Sequence, residues 1–115
     1  IQARMGAITS PDPDVTVEVE AGPIRPLFKA HEGTMELLEV AQRVARDVGL
    51  DLDHGQFGGG SDGNFTGALG VPTLDGLGVV GNGVHTKQEH LLVSSLAPRA
   101  MLFAGLVAAL SDRNV

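Results

Sequence analysis

Across residues 34–48, apolar side chains return every three or four positions: Leu37, Leu38, Ala41, Val44, Ala45 and Val48. Glu36, Glu39, Gln42, Arg43 and Arg46 fall on the opposite side. That period predicts an amphipathic helix. Thr34 is its expected N-cap, and Gly49 the left-handed residue past its end. Upstream the period shortens to two. Val15, Val17 and Val19 alternate with Thr16, Glu18 and Glu20, which predicts a half-buried strand with one wet face. Ser10-Pro11-Asp12-Pro13-Asp14 ahead of it reads as a turn. Residues 1–8 read as the tail of a helix carrying Ile1, Met5 and Ile8 on one face. Gly22, Pro23 and Pro26 end the strand, so residues 21–26 are the candidate domain boundary.

Further on, residues 50–57 predict a strand that ends on Gly58-Gly59-Gly60. Residues 64–69 predict a short helix closed by Gly70, and residues 71–75 a second strand. A second glycine-rich run, residues 76–83, delivers His85. Two such runs around one short strand are expected at the same edge of a sheet, where α/β proteins build their sites. Ser94 or Ser95 is expected to cap a last helix, with Pro98 tolerated in its first turn. Its body, residues 100–110, is apolar nearly all round, so burial is expected. As a continuous run it is too short to span a bilayer.

The 115 residues suffice for one small domain with a modest core. A net charge of −6 argues against a nucleic-acid backbone as partner, which would want a basic face. Four Phe with no Tyr or Trp offer little for base stacking. Without cysteine there is neither a disulfide framework nor a thiolate metal site. That is compatible with a reducing compartment, and a cytoplasmic location is the expectation. The chain starts at Ile1 in what reads as mid-element, so a fragment of a longer protein is expected.

Candidate chemistry gathers in the two glycine runs. Gly58, Gly60 and Gly63 satisfy the G-x-G-x-x-G spacing of a dinucleotide site. The following helix is too short for a crossover, though, and Asp75 comes too soon for the ribose-binding acid. A plain loop with Ser61 or Asp62 as helix cap accounts for the spacing as well. His85 follows a glycine-built loop and is either a surface or hydrogen-bonding histidine, the commoner case, or an imidazole suited to zinc. His85 and Glu89 stand four apart, the spacing of a shared helix face, but no H-E-x-x-H motif occurs. Arg25, between Ile24 and Pro26, is either a solvated charge or a guanidinium presented to a carboxylate.

Three segments read in order carry a resemblance: Gly58-Gly59-Gly60-Ser61-Asp62-Gly63-Asn64-Phe65, then residues 70–78, then Gly83-Val84-His85-Thr86 with Glu89. They resemble the C-terminal part of the zinc metallopeptidases that include carboxypeptidase G, acetylornithine deacetylase, succinyl-diaminopimelate desuccinylase and aminoacylase. Arg25-Pro26 and Ser94-Ser95-Leu96-Ala97-Pro98-Arg99 fit the glutamate carboxypeptidase branch best. The resemblance implies an α/β fold in two parts. Residues 1–22 would be the last helix and strand of an inserted lid and dimerisation domain. Residues 23–115 would be the C-terminal half of the catalytic domain, a sheet with flanking helices. It also implies that His85 binds zinc, that Arg25 engages a substrate carboxylate, and that Gly60, with Ser61 beside it, lines the substrate pocket. The implied reaction is hydrolysis of a peptide or N-acyl amino acid, using two zinc ions. The other metal ligands and the general base belong to the part of the family sequence that precedes the lid. The isolated chain is therefore expected to be inactive. A deacylase, or a non-catalytic module that self-associates as a homodimer or larger, are the alternatives.

Overall fold

The computed structural model describes residues 2–112, and Ile1 of the expected N-terminal helix lies outside them. Four helices and one hairpin form: α1 (Gln2–Met5), α2 (Glu32–Asp47), α3 (Gly63–Ala68), β1 (Gly81–Asn82), β2 (His90–Leu91) and α4 (Leu96–Ser111). The chain is thus a mixed structure of helices with a small two-stranded antiparallel sheet, in which Gly81 faces Leu91 and Asn82 faces His90.

The amphipathic pattern produces α2 as expected, but its N-cap lies three residues earlier than Thr34. His31 is the N-cap residue, with no side-chain capping bond, and Thr34 is buried inside the first turns. At the other end Gly49 has φ 74°. There the Leu50 N–H donates to the Ala45 carbonyl at 2.8 Å and the Gly49 N–H to Arg46 at 3.1 Å. These two bonds satisfy carbonyls that the helix leaves open, as in a Schellman ending. The turn at residues 10–14 also forms as read. The Asp12 N–H donates to Ser10 Oγ, and the Asp14 N–H to Asp12 Oδ1, each at 3.0 Å.

The core lies where α4 crosses α2. Val40, Ala41 and Leu106 are its centre; Leu37, Leu52, Leu74, Leu77, Ala109 and Leu110 lean on it. The helices approach closely enough that a methyl added to Gly105 would lie 2.7 Å from Val44 Cγ1. Leu102 is fully buried. The far side of α4 is not covered: Met101, Phe103 and Val107 are 50–61% exposed, so the expected burial on every face is corrected to burial on one. By length and composition the helical stretch Val93–Ser111 would also cross a membrane, a property that core helices of soluble proteins share.

Three expected strands do not form. Residues 15–20, 50–57 and 71–75 run without a ladder partner, and no sheet edge joins the two glycine-rich runs. Val15, Val17 and Val19 are exposed rather than half-buried. A strand needs a neighbour for its backbone N–H and C=O groups, and among the described residues these segments have none. The radius of gyration is 20.0 Å, against about 13 Å for a compact domain of ~100 residues. The accessible surface is 9203 Å², against about 5,900 Å² for a compact monomer of this mass. Ser95 does not cap α4 with its side chain either. Its hydroxyl donates to the Leu92 carbonyl at 2.6 Å and accepts the Val80 N–H at 3.0 Å, tying the hairpin to the helix start.

Because Leu102 is enclosed where the helices meet, Leu102→Ala should cost about 2–5 kcal/mol. Met101→Ala, on the open face, should cost far less in the isolated chain. Thermal melts followed by circular dichroism check the contrast.

Candidate functional site

The residues ahead of α2 are laid along α3 by three successive contacts. The Arg25 guanidinium sits over the Phe65 ring, 5.3 Å from its centroid, within cation–π range. The Asn64 Nδ2 donates to the Pro26 carbonyl at 2.8 Å. Gly67, buried in α3, faces the Phe28 ring so closely that any Cβ there would collide with it. α3 is six residues long, shorter than a βαβ crossover helix.

The glycine-rich loop closes over the same arginine. A methyl on Gly60 would stand 3.1 Å from Arg25 Cδ and 3.2 Å from Nε. Ser61 is held on both sides: its N–H donates to Asn64 Oδ1 at 2.9 Å, and its Oγ accepts the Gly63 N–H at 3.0 Å. Asp62 is the N-cap residue of α3 and makes no side-chain capping bond; the Ser61 hydroxyl, one residue earlier, takes up the Gly63 N–H instead. Arg25 Nη1 pairs with Asp62 Oδ1 at 3.3 Å, with the arginine side chain 43% exposed and the aspartate fully so. An exposed pair of this kind contributes little to stability. Its interest is chemical: a carboxylate reaches this guanidinium, and water reaches it as well.

His85 stands on a different element. It is in the left-handed region at φ 63°, where no other described non-glycine residue is found. The turn around it is closed by the Thr86 N–H to Gly83 O at 3.0 Å and the Glu89 N–H to Thr86 O at 3.2 Å. Glu89 Oε2 accepts the His85 N–H at 3.3 Å. The two residues therefore meet across a tight turn, not along the shared helix face their spacing allows. A shallow open concavity of 440 Å³ over the hairpin is lined by Val79, Asn82, Val84, Glu89, His90 and Leu91, but not by His85. The structure thus brings Arg25, Gly60 and Ser61 together. All the hydrogen bonds of His85 stay within its own turn.

Asn64, Phe65 and Asp62 are the site residues that sequence reasoning missed. An Asn three residues after a Ser in a glycine-rich loop signals local loop closure. Its bond to Pro26, 38 residues away, carries no local signal.

A half-exposed guanidinium seated on an aromatic ring and a glycine loop has the chemistry to pair with an anion, and it sits in a mixed helix-and-sheet fold. The chain belongs to the peptidase family M20/M25/M40, whose model matches residues 4–109. It is 33% identical over 99 residues to carboxypeptidase G2 of Pseudomonas sp. (strain RS-16), covering 84% of this chain and 23% of that protein. It is 32% identical over 81 residues to succinyl-diaminopimelate desuccinylase of Thioalkalivibrio sulfidiphilus (strain HL-EbGR7), covering 70% and 21%. An uncharacterised protein of Bacillus subtilis (strain 168), YqjE, is 31% identical over 90 residues, covering 78% and 24%. The chain thus spans under a quarter of the length of these relatives. No solved structure gives a significant match. The family is one of peptidases.

Peptidases of this family are generally zinc-dependent. Among the described residues no three of His, Asp and Glu converge on a point where a metal could sit. A zinc site takes three or four protein ligands, so the donors of this chain do not make one by themselves.

The contact between α3 and Phe28 can be tested by Gly67→Ala. In an ordinary helix that change gains about 0.5–1 kcal/mol. Here overpacking against Phe28 should reverse the sign and cost about 1–3 kcal/mol, seen as a lower melting temperature of the full-length protein.

Proposed function

We propose that the protein to which this chain belongs is a zinc-dependent exopeptidase of glutamate carboxypeptidase type. It would hydrolyse an amide or peptide bond next to a free carboxylate. Arg25 engages that carboxylate, Gly60 and Ser61 line the pocket beside it, and His85 is one zinc ligand of a set completed by the rest of the protein. The observation that carries the reading is the Arg25 guanidinium, set against Gly60 and already paired with the Asp62 carboxylate at 3.3 Å. A carboxylate from a ligand would take the place of a side chain that solvent already surrounds. In this reading residues 1–22 end a lid and dimerisation domain, and residues 23–115 belong to the catalytic domain. The cytoplasm is the proposed location.

A second reading, a deacylase of N-acyl amino acids, is favoured by the likeness to a desuccinylase. It uses the same arginine, because its substrate keeps a carboxylate too. Hydrogen bonds to charged groups are worth about 1.5–3 kcal/mol. Arg25→Ala in the full-length protein should therefore raise KM roughly 10- to 150-fold for a substrate with a free carboxylate. The carboxamide of the same substrate should be far less affected, and equal effects on both would reject the role of Arg25.

The isolated chain should be inactive and should lose zinc on dialysis. Its open apolar face and unpaired extended segments should drive self-association. Metal analysis together with size-exclusion chromatography checks both expectations. About two zinc ions retained per chain, or a sharp monomer peak, would contradict them.

A further inference from the structure

Resting on the reading of Arg25 just given, we infer that Asn64 is the positioning residue that aims this arginine. The side chain of Asn64 bonds to the backbone of both segments that form this corner. Its Oδ1 accepts the Ser61 N–H at 2.9 Å, and its Nδ2 donates to the Pro26 carbonyl at 2.8 Å. One partner can only donate and the other can only accept, so the amide has one orientation that serves both. Both bonds are partly buried, where water replaces them poorly. Pro26 follows Arg25 directly, and its ring fixes its own φ. It also restricts Arg25 to extended backbone. Fixing the Pro26 carbonyl therefore fixes the direction in which the arginine leaves the chain.

The same side chain sets the other wall. By holding the Ser61 N–H it keeps the glycine loop bent, with Gly60 against Arg25 Cδ and Nε. Phe65, next in sequence, supplies the surface beneath the guanidinium. The arginine is thus confined by the loop, the ring and the anchored proline, while its outer edge stays open to a carboxylate. Nothing in this arrangement has Asn64 touching the ligand. Its effect is geometric, and displacements of about 1 Å at a reacting ligand can cost on the order of a hundredfold in rate.

The test uses the full-length protein, with an N-acyl glutamate and its carboxamide as paired substrates. The quantity read is the ratio of kcat/KM for the carboxylate to that for the carboxamide. Arg25→Ala should collapse this ratio. Asn64→Ala should lower it on the order of tenfold or more, mainly through KM. Asn64→Asp keeps the acceptor for Ser61, replaces the donor to Pro26 with an oxygen that repels the carbonyl and adds a negative charge, so it should lower the ratio even if the alanine variant does not fold. In the Arg25→Ala background, Asn64→Asp should lower it no further. If the Asn64 variants depress both substrates alike while Arg25→Ala collapses the ratio, Asn64 is merely structural and this inference fails alone. If Arg25→Ala leaves the ratio intact, the carboxylate role of Arg25 fails, and the inference falls with it.

Discussion

The crossing of α4 over α2 is the packed centre on which the loops around the site depend. Val40, Ala41 and Leu106 form its centre, and the small side of Gly105 lets the two backbones approach. Apolar burial is non-directional and favours whatever surface is offered. The leucines that lean on this pair accordingly mark where the loops are tied down. Leu52 precedes the glycine-rich loop, while Leu74 and Leu77 follow α3. Gln42 reinforces the first tie, its Nε2 donating to the Leu52 carbonyl at 3.0 Å. The loop with α3 is thus held at both ends by the helix pair.

Between those ties the site is organised by short-range polar contacts rather than by a sheet. Asn64, Ser61 and the Pro26 carbonyl form one network, while Phe65 meets Arg25 and Gly67 meets Phe28. The hairpin that carries His85 is organised separately. Glu89 and Thr86 close its turn, and the Ser95 hydroxyl joins its base to the start of α4. The chain is acidic as a whole, so attraction for a carboxylate has to come from the immediate surroundings of one guanidinium rather than from the general field.

Membership of the peptidase family M20/M25/M40 gives a context for the exposed surface. The relatives are more than four times longer than the stretch they share with this chain. Extended segments without ladders, an open face on α4 and a large radius of gyration all describe elements whose hydrogen-bonding and packing partners are absent among the described residues.

What the residue order alone determined was local. The three-to-four period gave α2, Gly49 and Gly70 ended their helices, and the Ser-Pro-Asp turn closed on its own side chains, because each depends on atoms a few residues apart. The motifs around Gly60 and His85 were equally legible, and they led to the right family. Where an alternating segment would pair, which face of α4 would be covered, and that an asparagine would reach back 38 residues to Pro26 were decided only by tertiary structure. Ladders, buried faces and long-range hydrogen bonds need a second surface, and a one-dimensional pattern shows that a surface is sticky without showing what it meets.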